Sequence, residues 1–202
     1  MDLSISEWLN HLAVHRDGLE DVLVLVARNA EYVFVGLLGG LFLARGRWTS
    51  REARRGVVAA VAAAALALLV AHFIGVAWNR PRPFVAHPHQ VQIFAAHARD
   101  ASFPSDHATA AFAIAVSIWL RCRRIGWVLI AAAALLEVSR VVVGLHYPSD
   151  VLAGAILGTG TALLLWWAPI RFRLRALADR AGCRYELAVN PLAGFGVGQH
   201  WI

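Results

Sequence analysis

Lysine does not occur in this sequence of 202 residues, so all 19 basic side chains are arginine. Charge of either sign is scarce, at 16% of residues, whereas hydrophobic residues make up 59% and the mean hydropathy is +0.58. This composition excludes an ordinary soluble domain, whose surface needs more charged residues. The sequence therefore predicts an integral membrane protein that is long enough for several membrane spans.

Five apolar segments have the composition of transmembrane helices, since a bilayer core of about 30 Å needs roughly 20 apolar residues. They cover about residues 20–44, 56–78, 106–120, 125–144 and 150–170. The third is short, and we expect it to begin deeper in the membrane than its neighbours. The sequence thus predicts an all-α, polytopic bundle of about five transmembrane helices. Residues 1–170 would form the membrane domain and residues 171–202 a cytoplasmic tail.

Arginine clusters follow the first, third and fifth of these segments. Their members are Arg45, Arg47, Arg51, Arg54 and Arg55, then Arg121, Arg123 and Arg124, then Arg171, Arg173 and Arg175. Short loops rich in arginine remain in the cytoplasm, so we expect the amino terminus outside and the carboxyl terminus inside. Anionic lipid headgroups, rather than nucleic acid, are the expected partners of these arginines.

The first 20 residues, MDLSISEWLNHLAVHRDGLE, are expected to form an amphipathic helix on the outer surface. They lack the positive leader and the small-residue cleavage site of a signal peptide. We therefore expect the first span to be retained.

Candidate metal ligands are few. Cys122 and Cys183 both fall on the predicted cytoplasmic side, which argues against a structural disulfide, and they lack the spacing of a metal-binding pair. His87, His89 and His97 lie in a predicted outer loop without a carboxylate or cysteine at ligand spacing. Solvated loop histidines are the favoured interpretation, and we predict no metal site.

Three polar motifs are expected at the outer membrane face: RPRPF (80–84), PSDH (104–107) and SRVVVGLHYPSD (139–150). Each motif alone has a simpler interpretation. Ser105 and Asp106 are typical helix caps, Arg80 and Arg82 could anchor the chain at the interface, and Pro148 is typical of a helix start. Their collection at one face nevertheless favours a functional site.

A phosphate monoester or diphosphate would explain this collection of residue types. Arginine offers planar donors for phosphate oxygens, and a helix N-terminus offers free N–H groups. Such a site can bind an anionic substrate without a metal or another cofactor. Cleavage also needs a nucleophile and an acid, which two histidines can supply if a carboxylate orients one of them. His146 and Asp150 could form that pair, with His107 as the acid.

The three motifs resemble, in order, the signature motifs of the type 2 phosphatidic acid phosphatases, a membrane superfamily that shares its site with vanadium haloperoxidases. The third motif matches from Ser139 to Asp150 without a gap, whereas the second usually has glycine where Asp106 stands. SFPSDHA together with RPRPFV is most similar to the bacterial undecaprenyl diphosphate phosphatases of this type. The resemblance, over residues 20–168, implies a multi-pass enzyme of the bacterial cytoplasmic membrane whose site faces the exterior.

The resemblance also implies roles for the matched residues. His146 would attack the terminal phosphorus to form a phosphohistidine, Asp150 would orient His146, and His107 would protonate the leaving polyprenyl phosphate. The nonbridging oxygens would be held by Arg82, Ser105 and Arg140, where charge grows in the transition state. Asp106 and Ser139, in the same motifs, are further candidates for substrate binding.

Two charged residues have open roles. Gly75 stands where the family usually has a lysine, and Arg80 could either replace that charge at the phosphate or anchor the chain at the interface. Glu31 stands three residues after Arg28 in the first span. It could pair with Arg28 on the helix surface, or it could fix an arginine of the site.

Three functions are compatible with these residues. The first is hydrolysis of a polyprenyl diphosphate, which the undecaprenyl-like motif variants favour. The second is hydrolysis of another lipid phosphate, such as phosphatidic acid or phosphatidylglycerol phosphate. The third is a transporter or a non-catalytic scaffold, against which the intact histidines and the sparse charge within the spans both argue. The expected partners are therefore a lipid phosphate and the bilayer.

Overall fold

The computed structural model describes residues 1–14, 18–43, 51–94, 100–167, 172–173, 176–177 and 179–180. Seven helices are defined in this part of the chain: α1 (Asp2–Val14), α2 (Leu19–Leu43), α3 (Arg51–Trp78), α4 (Pro83–Ala86), α5 (Asp106–Trp119), α6 (Arg123–Val142) and α7 (Pro148–Trp166). The described residues contain no strand, so the predicted all-α class is confirmed. Most of the predicted cytoplasmic tail, and His97, lie outside the described residues.

The predicted apolar segments coincide with α2, α3, α5, α6 and α7. Three segments of the described chain are long and apolar enough to cross a membrane: Arg54–Ala86, which contains most of α3, together with α6 and α7. A fourth is α2, if its halves Asp21–Asn29 and Tyr32–Gly40, bent by 51°, count as one span. The protein is therefore a multi-pass membrane protein. The count of five spans and the orientation of the termini stay predictions.

Helix α5 is the short central helix of the bundle. Its 14 residues rise only about 21 Å, less than a bilayer core, and it packs against α3, α6 and α7. Gly154 and Gly158 allow α7 to approach it closely, because a Cβ atom at either position would lie within 2.5 Å of a carbonyl oxygen of Ser105 or Thr109. This contact places the first turns of α5 and α7 side by side.

The connection from α6 to α7 contains a sharp turn. Gly144 has φ +81°, which an L side chain rarely adopts, and a Cβ atom there would lie 2.8 Å from the carbonyl oxygen of Gln92. The turn ends α6 and directs His146 back into the bundle, so the third motif forms a buried bend rather than an exposed loop.

Helix α1 has an unusual distribution of polarity. Its polar residues Ser6 and Asn10 are buried against the protein. Its apolar residues Ile5, Trp8 and Leu12 are exposed at helical spacing, as is Met1 just before the helix. Asn10 donates to the carbonyl oxygens of Gln92 and Val142 at 2.8 Å and accepts from the Gln92 amide at 2.9 Å. These bonds attach α1 to the end of α6, and its exposed face has the character of helices that lie in a membrane interface.

Candidate active site

His146 follows the Gly144 turn and is 1% exposed. Its Nδ1 lies 2.9 Å from the carbonyl oxygen of Ser102, and its Nε2 lies 2.9 Å from Nη1 of Arg82. A carbonyl oxygen can only accept and a guanidinium can only donate, so Nδ1 carries the hydrogen and Nε2 carries the lone pair. The two partners thus select the tautomer in which Nε2 can act as a nucleophile.

The electrostatic surroundings keep this ring neutral. Burial is the main cause that lowers the pKa of His146, to about 4. Asp150 acts in the opposite direction, while Arg82 and Arg140 act together with burial. His146 is therefore unprotonated near neutral pH, as a nitrogen nucleophile must be.

Asp150 lies in the first turn of α7 and is fully buried. Its Oδ2 accepts from the amide of Tyr147 at 2.9 Å and from the hydroxyl of Ser102, and its Oδ1 accepts from Arg80 at 2.7 Å. Oδ2 lies 3.8 Å from His146 Nδ1, which is an ion-pair distance rather than a hydrogen bond. Ser102 connects the pair, because its carbonyl holds Nδ1 while its hydroxyl holds the carboxylate.

Arg82 is 4% exposed and is fixed by three groups. Its Nε donates to Oδ1 of Asp100 at 2.8 Å, and its Nη1 donates to the carbonyl oxygen of Leu145 at 3.1 Å as well as to His146. A guanidinium held in this way presents a fixed positive charge beside the lone pair of Nε2. A phosphate group that reached His146 would meet both at once.

Arg80 is directed to a different place from Arg82. Its Nη1 donates to Ser149 Oγ and to Asp150 Oδ1, both at 2.7 Å, and its Nη2 donates to Asp2 Oδ2 at 2.7 Å. Its guanidinium also lies 3.9 Å from the centre of the Tyr147 ring. Arg80 therefore contacts two carboxylates in this structure. It bonds to Oδ1 of Asp150, whereas His146 lies near Oδ2 of the same carboxylate.

Ser105 is the N-cap of α5 and accepts a hydrogen bond from the amide of Ala108 at 3.3 Å. Capping explains only part of its position, since its hydroxyl also donates to Oε2 of Glu137 at 3.3 Å and its amide donates to the carbonyl oxygen of Asp150 at 3.1 Å. Ser105 therefore joins the starts of α5 and α7 to α6.

Arg140 and Ser139 are both buried near the end of α6. Arg140 donates to the carbonyl oxygen of Ala27 in α2 at 3.1 Å. Ser139 donates to the carbonyl oxygen of Leu136 within its own helix. The hydroxyl of Ser139 is thus bonded to the backbone in this structure, whereas Arg140 lies close enough to His146 to influence its charge.

His107 and Asp106 occupy the first turn of α5, where both line an apolar cavity of about 220 Å³. The other walls of this cavity are Phe34, Val35, Leu68, Ala110, Ala111, Ile114 and Leu136. Asp106 also lines a second cavity, of about 280 Å³, beside Gly75 and Asp100. The second motif thus borders both an apolar cavity and a more polar one.

Several contributors to the site were missed by the sequence interpretation. Ser102 and Asp100 stand just before the PSDH motif, and their polarity next to a motif was an available signal. Glu137 is 1% exposed, and its Oε1 has no hydrogen-bond partner in the described part of the chain. No sequence pattern pointed to Asp2, because it lies 78 residues from its partner Arg80 in the chain. The side chain of Glu31 lies outside the described part.

Comparison with known proteins places these residues in a family. The pattern of the PAP2 superfamily matches residues 56–173, which include all three motifs. Undecaprenyl-diphosphatase BcrC of Bacillus subtilis is 32% identical over 194 residues, or 95% of each chain. The crystal structure of Aquifex aeolicus LpxE, 26% identical, superposes with a TM-score of 0.67 over 82% of this chain and 95% of that one.

A second solved structure shows the fold alone. The PAP2-type phosphatidylglycerolphosphate phosphatase of Bacillus subtilis is 20% identical and superposes with a TM-score of 0.57, over 81% of this chain and 83% of that one. Sequence motifs, a full-length relative and the arrangement of helices therefore agree, and the chain belongs to the PAP2 superfamily.

Proposed function

We propose that this membrane phosphatase hydrolyses the terminal phosphate of a polyprenyl diphosphate, such as undecaprenyl diphosphate. One observation carries the reaction: the unprotonated Nε2 of His146 faces the fixed guanidinium of Arg82 at 2.9 Å. The choice of a polyprenyl diphosphate is supported by the similarity to undecaprenyl-diphosphatase BcrC over 95% of each chain.

The first chemical step is attack of His146 Nε2 on the terminal phosphorus. The new N–P bond forms as the bond from phosphorus to the bridging oxygen breaks, and the polyprenyl phosphate leaves with a proton from His107. Arg82, Ser105 and Arg140 hold the nonbridging oxygens of the phosphoryl group. The incoming oxygen replaces His146 Nε2 as acceptor of the Arg82 N–H, which frees the lone pair for attack.

The surroundings of His146 Nδ1 support this step. Phosphorylation of Nε2 makes the ring positively charged while the Nδ1–H bond to Ser102 persists. The carboxylate of Asp150, 3.8 Å from Nδ1, then stabilises the charge that has developed. In the second step a water molecule attacks phosphorus, and neutral His107 takes the proton of that water. The N–P bond breaks, phosphate is released, and the His146 ring is neutral again.

The apolar cavity supports a lipid substrate. His107 lines it together with apolar side chains of α2, α3, α5 and α6, including Phe34, Leu68 and Leu136. A prenyl chain in this cavity would carry its leaving oxygen past His107. The acid and the lipid tail would thus lie on the same side of the phosphate.

A substrate panel tests the proposal. Purified protein in detergent is given undecaprenyl diphosphate, phosphatidic acid and phosphatidylglycerol phosphate, and released phosphate is measured. We expect the highest kcat/KM with the diphosphate and no release by the His146→Ala control. A higher kcat/KM with either glycerolipid would favour the second candidate, a glycerolipid phosphatase, because the phosphate contacts themselves do not distinguish these substrates.

The orientation of the site is tested by thiol labelling. In a background without Cys122 and Cys183, single cysteines replace Ala86 of α4 or Ala53 of α3. We propose that the site faces the exterior of the cytoplasmic membrane, so a membrane-impermeant reagent should label the first variant in intact cells and not the second. The reverse pattern would place the site in the cytoplasm and contradict a role in recycling the lipid carrier at the outer leaflet.

The proposed reaction does not require a metal ion. Arginines and helix N-termini supply positive charge at the phosphate, so activity should persist in excess chelator, and vanadate should inhibit as a mimic of five-coordinate phosphorus. Loss of activity in chelator that returns with an added divalent ion would contradict this mechanism.

A further inference from the structure

We propose that Asp2 is a positioning residue of the phosphatase reaction, which holds Arg80 against the carboxylate of Asp150. Asp2 belongs to α1 and lies outside residues 56–173, to which the family pattern is confined. The inference rests on the proposed roles of His146 and Asp150. It assigns a function to an amino-terminal helix that the three motifs do not include.

The contacts of Arg80 form a bridge between two carboxylates. One terminal nitrogen donates to Asp150 Oδ1 at 2.7 Å, and the other donates to Asp2 Oδ2 at 2.7 Å. The planar guanidinium can make both bonds at once because its donors point in fixed directions. Charges therefore alternate from Asp150 through Arg80 to Asp2.

Asp2 makes further bonds at the same place. Its Oδ1 accepts from the amide of Ser149 at 3.1 Å, and its Oδ2 accepts from the Ser149 hydroxyl. Burial opposes ionisation of Asp2, but hydrogen bonds from Ser149 and Arg80 outweigh it and lower the pKa of this carboxyl. The negative end of the chain of charges is therefore present near neutral pH.

Arg80 needs this second carboxylate because its side chain is 26% exposed, unlike that of Asp150, which is fully buried. Arginine loses side-chain entropy when it is held in one conformation, and solvent competes for its donors. Without Asp2, the guanidinium would retain one carboxylate and an open path to water. The carboxylate of Asp150 would then be less firmly placed beside His146.

Helix α1 is anchored well enough to act through Asp2. Asn10 bonds α1 to the carbonyl oxygen of Val142 at the end of α6, on the element that leads to His146. The exposed apolar face of α1 is suited to a second attachment, at the membrane interface. Asp2 is therefore presented to Arg80 by a docked helix rather than by a loose terminus.

Asp2→Asn removes the charge while nearly preserving the shape of the side chain. Its kcat and KM are measured with undecaprenyl diphosphate in detergent. Asp2 bonds to neither His146 nor Arg82, so we expect kcat to fall about tenfold, as is typical when a group that only orients a reacting side chain is lost, with KM within twofold of wild type. Asp21→Asn, which removes an exposed carboxylate at the start of α2, is the matched control and should leave both constants unchanged.

A double-mutant cycle shows whether the effect passes through Arg80. In an Arg80→Gln background, Asp2→Asn should change kcat by less than twofold, because the bridge is already lost. In a Ser149→Ala background it should retain most of its tenfold effect. An effect of Asp2→Asn that persists in full in the Arg80→Gln background would overturn the proposal, and so would a kcat within twofold of wild type.

A second pair of variants keeps the test decisive if Asp2→Asn does not accumulate in the membrane. Asp2→Glu and Asp2→Gln have the same length and differ in charge, and we expect the higher kcat from the glutamate. Equal values would overturn the proposal. Failure of the proposed reaction is recognised separately, since His146→Ala would then retain activity whatever the Asp2 variants do.

Discussion

Arginines at the two ends of the helical bundle have different surroundings. At the site end, where α3 ends and α5 and α7 begin, Arg82 is 4% exposed and is bonded to Asp100, to the Leu145 carbonyl and to His146. At the opposite end, which we call the arginine end, α3 begins and α5 and α7 end. There Arg123 is exposed and lies 3.6 Å from the centre of the Trp119 ring.

Other arginines of the arginine end repeat this pattern. Arg121 lies 4.8 Å from the centre of the Trp166 ring, and Arg55 forms a partly exposed ion pair with Asp179 at 2.7 Å. Stacking on tryptophan and pairing in solvent contribute little each, and they suit side chains that anchor a helix at a membrane interface.

The difference separates arginines that are candidates for catalysis from arginines that are candidates for anchoring the chain at the membrane. A buried guanidinium costs free energy unless several partners compensate it, and Asp100 and the Leu145 carbonyl compensate Arg82 while they hold it beside His146. An exposed arginine on a tryptophan incurs little cost, and another polar residue can replace it. Substitutions at the two ends should therefore have very different effects on catalysis.

The largest contrast is expected for His146, the proposed nucleophile. His146→Ala should lower kcat by roughly 10⁴-fold or more on every substrate, because no phosphoenzyme can form whatever the leaving group. The measurement is phosphate release from undecaprenyl diphosphate and from p-nitrophenyl phosphate, with Arg123→Gln as the control from the arginine end. A phosphorylated intermediate trapped in the His146→Ala protein would show that another residue is the nucleophile.

The next contrast lies within the site end, between the two histidines. General acid help is worth about 10²- to 10⁴-fold and matters most for a basic leaving oxygen. His107→Ala should therefore lose least activity on p-nitrophenyl phosphate, more on a prenyl diphosphate and most on a lipid monophosphate. Equal losses on all three substrates would contradict the assignment of His107 as the acid.

The arginines themselves give the most direct comparison. Arg82→Gln should lower kcat/KM for the lipid substrate by about 10²- to 10³-fold, as expected for loss of a charged hydrogen-bond donor that stabilises the transition state. Arg123→Gln should change it by less than twofold. Arg82→Lys should recover little, since lysine lacks the planar fork that bonds Asp100 and Leu145 while facing a phosphate. Similar losses for the two glutamine variants would erase the distinction between the ends.

The smallest expected effect concerns stability and pH. The pKa of His146 is lowered to about 4, so the folded state binds this proton less readily than the unfolded chain, where histidine titrates near 6.5. The contribution of neutral His146 is complete above pH 6.5 and is lost as the pH falls toward 4, by up to about 3 kcal/mol.

Unfolding in detergent, followed by loss of helical signal at pH 7 and pH 4.5, measures this dependence. His146→Gln should lose less stability over that interval than wild type, whereas the exposed-loop variant His89→Gln should behave like wild type. The same pH dependence in wild type and His146→Gln would rule out the buried neutral histidine as its source.

Local signals in the sequence predicted much of this molecule. Hydropathy located α2, α3, α5, α6 and α7, because the helices of a membrane bundle are apolar where they face lipid or one another. The cap at Ser105 and the His146–Asp150 spacing were also readable, since each depends on residues within one turn. The family resemblance supplied Arg82 and Arg140 as well, although not the groups that hold them.

Only the tertiary structure decided how the site is held together. His146 meets Ser102 across 44 residues and Arg82 across 64, and Arg80 meets Asp2 across 78. No local pattern encodes such contacts, because they depend on which helix faces which and on a carbonyl oxygen that any residue at position 102 would carry. The residue types that can do the chemistry follow from the sequence. The tautomer of His146 and the bridge from Asp150 to Asp2 follow from packing, because hydrogen bonds act over about 3 Å and only the folded chain brings their partners that close.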